Sequence, residues 1–64
     1  MNNLKQIRLD TGMSQSELAN KAEINVRTIQ HYEQGFRDIN KTSALTLYKL
    51  AQALGTQMEK LLQL

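Results

Sequence analysis

A chain of 64 residues makes one domain, near the smallest that folds without staples. It has no cysteine, which excludes disulfides and thiolate metal sites and fits an intracellular setting. Eight Lys and Arg against six Asp and Glu give +2, a balance too mild to demand or exclude a nucleic-acid partner. No apolar run approaches the roughly 18 residues that span a bilayer. The opening MNNLKQIR also lacks the basic-then-apolar layout of a signal peptide, so a soluble cytoplasmic protein with no membrane association is expected.

Proline is absent, and five apolar-periodic segments follow one another between helix start and stop marks. The first helix is predicted over 2–11, with Leu4 and Ile7 inward and Gly12 after it. Ser14 and Glu17 have the spacing of a capping box and open a second helix over 15–22, with Leu18, Ala19 and Ala22 inward. Asn25 caps a third over 26–34, built on Ile29 and Tyr32 and ended by Gly35. Asn40 is a good cap for a fourth over 41–53, whose stripe of Leu47, Leu50 and Ala51 continues to Leu54. After Gly55, Thr56 and Glu59 repeat the capping-box spacing before a last helix over 57–63, which offers Met58, Leu61 and Leu62. Alternating strand patterns are absent. The expected fold is all-α, a compact five-helix orthogonal bundle forming one domain over 1–64.

Helices two and three are joined by so few residues that they cannot lie antiparallel. They must cross steeply, as in a helix-turn-helix, and the second of the pair then projects toward a DNA major groove. Along it Arg27, Gln30, His31 and Gln34 recur at the i, i+3, i+4, i+7 spacing of one helical face. Asn25 and Val26 stand at its N-terminal end, the part that meets base edges in this docking geometry. Arg27 has the planar fork that bonds N7 and O6 of guanine together. Gln30 and His31 are placed to contact bases directly or through water, and Val26 either to touch a thymine methyl or to pack against helix two. Periodicity alone would also suit a merely solvated face. His31 is the only histidine and has no cysteine beside it, so no metal site is expected.

Phosphate contacts should flank this helix. Gln15 sits at the start of helix two, where unsatisfied N–H groups and the helix dipole favour an anion. Gln34, Arg37, Asn40 and Lys41 lie just beyond helix three, and Asn40 is equally read as a helix cap. From Arg27 to Lys49 there are four basic residues (Arg27, Arg37, Lys41, Lys49) and two acidic ones (Glu33, Asp38).

Four ordered segments, LKQIR, GMSQSELA, TIQHYEQG and LYKLAQALG, resemble the Cro and phage-repressor (Xre-type) helix-turn-helix family across nearly the whole chain. The resemblance implies a lambda-repressor-like DNA-binding domain and a sequence-specific, usually dimeric transcriptional regulator. The expected function is therefore a repressor or activator, a repressor being preferred, on a double-stranded, inverted-repeat operator, with no cofactor. It also implies that Gln15 contacts DNA and that Arg8 and Glu33 form an internal ion pair tying helices one and three together. Two departures stand out. Glu23 occupies a turn position where the family often has Gly, and GFRDINKTSALTLYKLA lacks the proline that often follows helix three.

A second function class is an antitoxin-like or other protein-interaction module using the same fold. An enzyme is not expected, because the lone His has no triad context and so short a chain leaves little room for a catalytic pocket. A homodimer is expected, since Leu61, Leu62 and Leu64 crowd the last four positions and one helical face cannot bury them all.

Overall fold

A computed structural model describes residues 3–62 of the chain. It has five α-helices and a short 3-10 turn: α1 Leu4–Asp10, α2 Gln15–Ala22, α3 Val26–Gln34, the 3-10 turn Ile39–Lys41, α4 Ala44–Leu54 and α5 Met58–Leu61. No strand occurs among the described residues. α2 packs against both α3 and α4, α4 carries α5, and α1 closes onto α3. The residues predicted to face inward do so: Leu4, Leu18, Ile29, Leu50 and Leu61 are completely buried, and Ile7 and Met58 are half-buried against them. Each of the six elements contributes one fully buried aliphatic side chain, Ile39 being that of the 3-10 turn. Ala19 and Ala22 on α2 face a helix bearing buried Ala51 and Ala53, and these small residues let the two backbones approach.

The helix-turn-helix is set by local hydrogen bonding. Ser14 Oγ accepts the Glu17 N–H at 3.0 Å, and Glu17 Oε1 accepts the Ser14 N–H at 2.9 Å, completing the capping box. Hydrogen bonding to the Ser14 N–H first, and to the Ser14 hydroxyl second, holds the Glu17 carboxyl below its ordinary pKa. α2 ends when Glu23 turns left-handed, with φ 58° and ψ 46°, and the Ile24 N–H reaches back to the Ala19 carbonyl at 2.9 Å. Asn25 then caps α3, its Oδ1 accepting the Arg27 N–H at 2.8 Å. Three residues, 23–25, thus join α2 to α3, and the two helices pack on one another.

Three helix starts differ from the sequence expectation, α1 beginning at Leu4 rather than at residue 2. α4 begins at Ala44, capped by Ser43 Oγ on the Thr46 N–H at 3.2 Å, rather than after Asn40. Asn40 lies inside the 3-10 turn, where Asp38 Oδ1 accepts its N–H at 2.9 Å, so Asp38 caps and Asn40 does not. The cause is tertiary: Ile39 is drawn into the core, and Thr42 Oγ1 is hydrogen-bonded to the Tyr32 hydroxyl on α3. The capping box of Thr56 and Glu59 does not form either. Gly55 is left-handed and the Thr56 N–H closes α4 on the Ala51 carbonyl at 3.0 Å, so the shorter α5 starts after Gln57 without a side-chain cap.

The apolar surplus at the C-terminus is smaller than expected. Leu61 is fully buried in the chain's own core and Leu62 is half-buried against it. Leu64, like the predicted first residue of helix one (Asn2) and last residue of helix five (Gln63), lies outside the described residues.

Glu23 is the one positive-φ residue other than glycine among those described. A side chain in that conformation costs roughly 1–2 kcal/mol, and glycine's looser unfolded chain gives back about half of this. Glu23→Gly should therefore stabilise the domain by about 1 kcal/mol, raising its thermal midpoint by about 4–8 °C. A midpoint at or below that of the parent in a calorimetric scan would mean the turn carries no such strain.

Candidate nucleic-acid interface

The site is organised by one buried ion pair. Arg8 Nε donates to Glu33 Oε2 at 2.6 Å and Nη2 to Glu33 Oε1 at 2.9 Å, a two-pronged contact between α1 and α3. The third guanidinium nitrogen, Nη1, donates to the Met13 carbonyl at 2.9 Å, so the same side chain pins the loop leading into α2. Only 8% and 3% of the two side chains remain exposed. Burial pushes the Glu33 carboxyl up, but hydrogen bonds from Arg8 and Gln15 and the charges of Arg8 and Lys5 outweigh it and hold it below the ordinary value.

From Glu33 the network runs outward. Gln15 Nε2 donates to Glu33 Oε1 at 3.1 Å, and Gln15 Oε1 accepts a longer bond from Gln30 Nε2 at 3.4 Å. Gln15, expected only as a phosphate contact, is thus also the link that ties the start of α2 to the outward row of α3. No spacing rule would have shown this.

On that row Arg27 and Gln34 are exposed, while Gln30 and His31 are half-buried. Val26 is half-buried and packs against the core, so packing is the role its placement supports. Asn25 is exposed with its carbonyl oxygen committed to the cap. At the far end Gly35 turns left-handed, with φ 84°, and the N–H groups of Phe36 and Arg37 both return to the His31 carbonyl, at 2.9 and 3.2 Å. This closure sends Phe36, Arg37 and Asp38 into solvent.

Beside α3 lies an open groove of about 610 Å³, bounded by Thr28 and Tyr32 of α3, the 3-10 turn and the first turns of α4. Arg37, Lys41 and Lys49, three of the four basic residues noted from Arg27 to Lys49, line it together with Glu23, Asp38 and the side chains of Ser43 and Thr46, which the sequence did not single out. Lys49 lies in the second turn of α4, and only the fold brings it beside Arg37 and Lys41.

A helix-turn-helix family model matches residues 4–61 of the chain. The protein belongs to the Cro and lambda-repressor type of helix-turn-helix domain. A comparison with curated proteins gave no match. In helix-turn-helix proteins the first helix of the motif crosses the DNA backbone and the second lies in the major groove, and α2 and α3 are the corresponding pair in chain order here. Membership makes the chain a DNA-binding domain of general transcription-regulator type. No helix among its described residues is long and apolar enough to cross a membrane.

Because α3 is anchored through Glu33, removing that carboxylate should be costly. Glu33→Ala leaves the Arg8 guanidinium buried without its counter-charge, a loss of about 3–5 kcal/mol. A domain of this size has roughly 3–10 kcal/mol in total, so the urea midpoint should fall sharply. The pKa of Glu33 is lowered in the folded state, so its stabilisation is fully present above the ordinary carboxylate value of about 4.3 and is lost as pH falls below it. Glu33→Gln should remove that component of acid sensitivity. Equal acid sensitivity in parent and variant would show that another carboxylate controls it.

Proposed function

We propose that this domain binds a specific inverted-repeat operator as a homodimer and represses transcription by occupying it. The observation that carries the reading is the capped, outward row of Arg27, Gln30, His31 and Gln34 on α3, flanked by Gln15 on one side and by the groove of Arg37 and Lys41 on the other. Asn25, Arg27, Gln30 and His31 read base edges, and Val26 supports them from the core side. Gln15, Gln34, Arg37, Asn40 and Lys41 hold the phosphates. Repression asks least of such a module, because occupancy alone blocks a promoter. The reading assigns the domain no catalysis and no cofactor, and a cytoplasmic location suits it.

Dimerisation is supported by size. The longest Cα extent is 25 Å, shorter than the 34–36 Å between successive major-groove half-sites, so one copy cannot present two recognition helices. With Leu61 committed to the core, exposed Leu45 and Tyr48 on α4 and half-buried Leu62 are among the apolar side chains left for a second copy.

Selection of bound sites from random DNA tests the function directly. An enriched inverted repeat is the expected outcome, with a two-chain mass in sedimentation at micromolar concentration. Absence of any enriched sequence would overturn the operator reading, and a one-chain mass with no gain from a second half-site would overturn the dimer.

The two classes of contact separate by mutation. Arg27→Ala should cost about 1–3 kcal/mol of specific binding and relax preference at one base pair. The exposed side chain leaves folding intact. Lys41→Ala and Arg37→Ala should weaken all sequences alike, each lowering the log–log salt slope by about one. Unchanged slopes in both variants would remove the segment after α3 from the phosphate contacts.

A further inference from the structure

Leu45, Tyr48, Lys49 and Gln52 recur along α4 at the i, i+3, i+4, i+7 spacing of one helical face, opposite its buried stripe. Leu45 and Tyr48 stand on adjacent turns of that face, yet remain 63% and 51% exposed. Beside them a shallow groove of about 230 Å³ separates α4 from the end of α2. Tyr48, Lys49 and Gln52 line one wall, and Lys21 and Glu23 the other.

Glu23 is the anomaly in this groove. Its left-handed backbone, with φ 58°, strains any residue that has a Cβ. It also stands at the C-terminal end of α2, where the helix dipole disfavours a negative charge. Local structure thus gives no reason for a carboxylate here. A strained position that keeps a charged side chain points to a use for that side chain. Among the described residues Glu23 is in no ion pair, and neither are Lys21 and Lys49 of the same groove.

We propose that the Leu45 and Tyr48 face of α4 is the contact between two copies of this chain, with Glu23 of each copy paired to Lys49 of the other. The inference rests on the proposed homodimer and locates its contact on α4 rather than at the C-terminus. Charge argues for a second copy as the occupant. Glu23 repels a uniformly acidic partner, and Lys21 and Lys49 repel a uniformly basic one. A copy related by a two-fold axis offers each group its opposite, and every such pairing then occurs twice. Lys49 is the cation assigned because it belongs to the α4 face itself. Leu45 and Tyr48 supply the apolar area between the two ion pairs. None of Arg27, Gln30, His31 and Gln34 lines this groove or the larger one beside α3, so the contact needs no part of the proposed reading row.

Complementary charge variants test the contact. Self-association of Glu23→Lys and Lys49→Glu is measured by sedimentation at micromolar concentration, each variant alone and then the two in equal mixture. Alone, each sets like charges against one another at both symmetric positions and should weaken the dimer about tenfold or more. In the mixture every charge again meets its opposite across the axis, so a two-chain species of near wild-type affinity should return. Repair of this kind cannot arise from a change within one chain. Tyr48→Ala should also weaken the dimer about tenfold through lost apolar area. Thermal midpoints near wild type, taken where all proteins are single chains, show that the fold is unaffected.

Variants that dimerise as wild type does, or a mixture of folded variants that stays as single chains, would overturn the assignment and leave the dimer to another face. A one-chain mass for wild-type protein would instead overturn the homodimer on which the assignment rests. The two failures are distinguished by the wild-type measurement.

Discussion

Most of this small domain's architecture leans on the Arg8–Glu33 pair. The hydrophobic core supplies one fully buried aliphatic side chain per element, enough to hold the elements together but not to dictate their angles. A bidentate guanidinium–carboxylate contact is directional, and here one arginine reaches three places: two oxygens of Glu33 on α3 and the carbonyl of Met13 before α2. α1, the entry to α2, and α3 are thereby placed relative to one another by a single side chain. Buried pairs of this kind add little net stability over an apolar substitute, yet losing either partner is severe. Orientation, more than affinity between helices, is what the pair contributes.

Much of this was legible beforehand. The boundaries of α2 and α3 agree with the spacing of Ser14, Glu17, Asn25 and Gly35, because caps act within one helical turn and carry their information locally. The left-handed turn at Glu23 was likewise visible as a missing glycine. The start of α4 was not. Ile39 is a lone aliphatic residue among polar neighbours, and a single residue has no period to detect. Its burial, together with the Tyr32–Thr42 hydrogen bond, pulls residues 38–42 into a 3-10 turn and displaces the cap from Asn40 to Ser43. Tertiary contacts decided that boundary.

The candidate site divides the same way. The face of Arg27, Gln30, His31 and Gln34 follows from helical geometry once α3 exists. Lys49 joins the groove only because α4, packed on α2, brings its first turns to the rim shared with the 3-10 turn and α3. Gln15 shows the limit of residue-by-residue reading most clearly. Its position at the start of α2 suggests an anion contact, whereas its side chain also spans the gap between Glu33 and Gln30.

That bridge has a consequence for recognition. An ionised carboxylate only accepts hydrogen bonds, so Glu33 obliges the Gln15 amide to present its nitrogen inward. The Gln15 carbonyl oxygen then faces Gln30 and orients that amide in turn, nitrogen toward Gln15. One Nε2–H and the carbonyl oxygen of Gln30 are left over from this bond, a donor and an acceptor side by side. Adenine's major-groove edge needs the complementary pair at N7 and N6. On the proposed reading, Gln30 comes to the groove already set in one of its two amide orientations by a carboxylate it does not touch. The interior ion pair and the proposed reading surface are then one hydrogen-bonded system, with Arg8 and Glu33 directly behind the helix proposed to meet DNA.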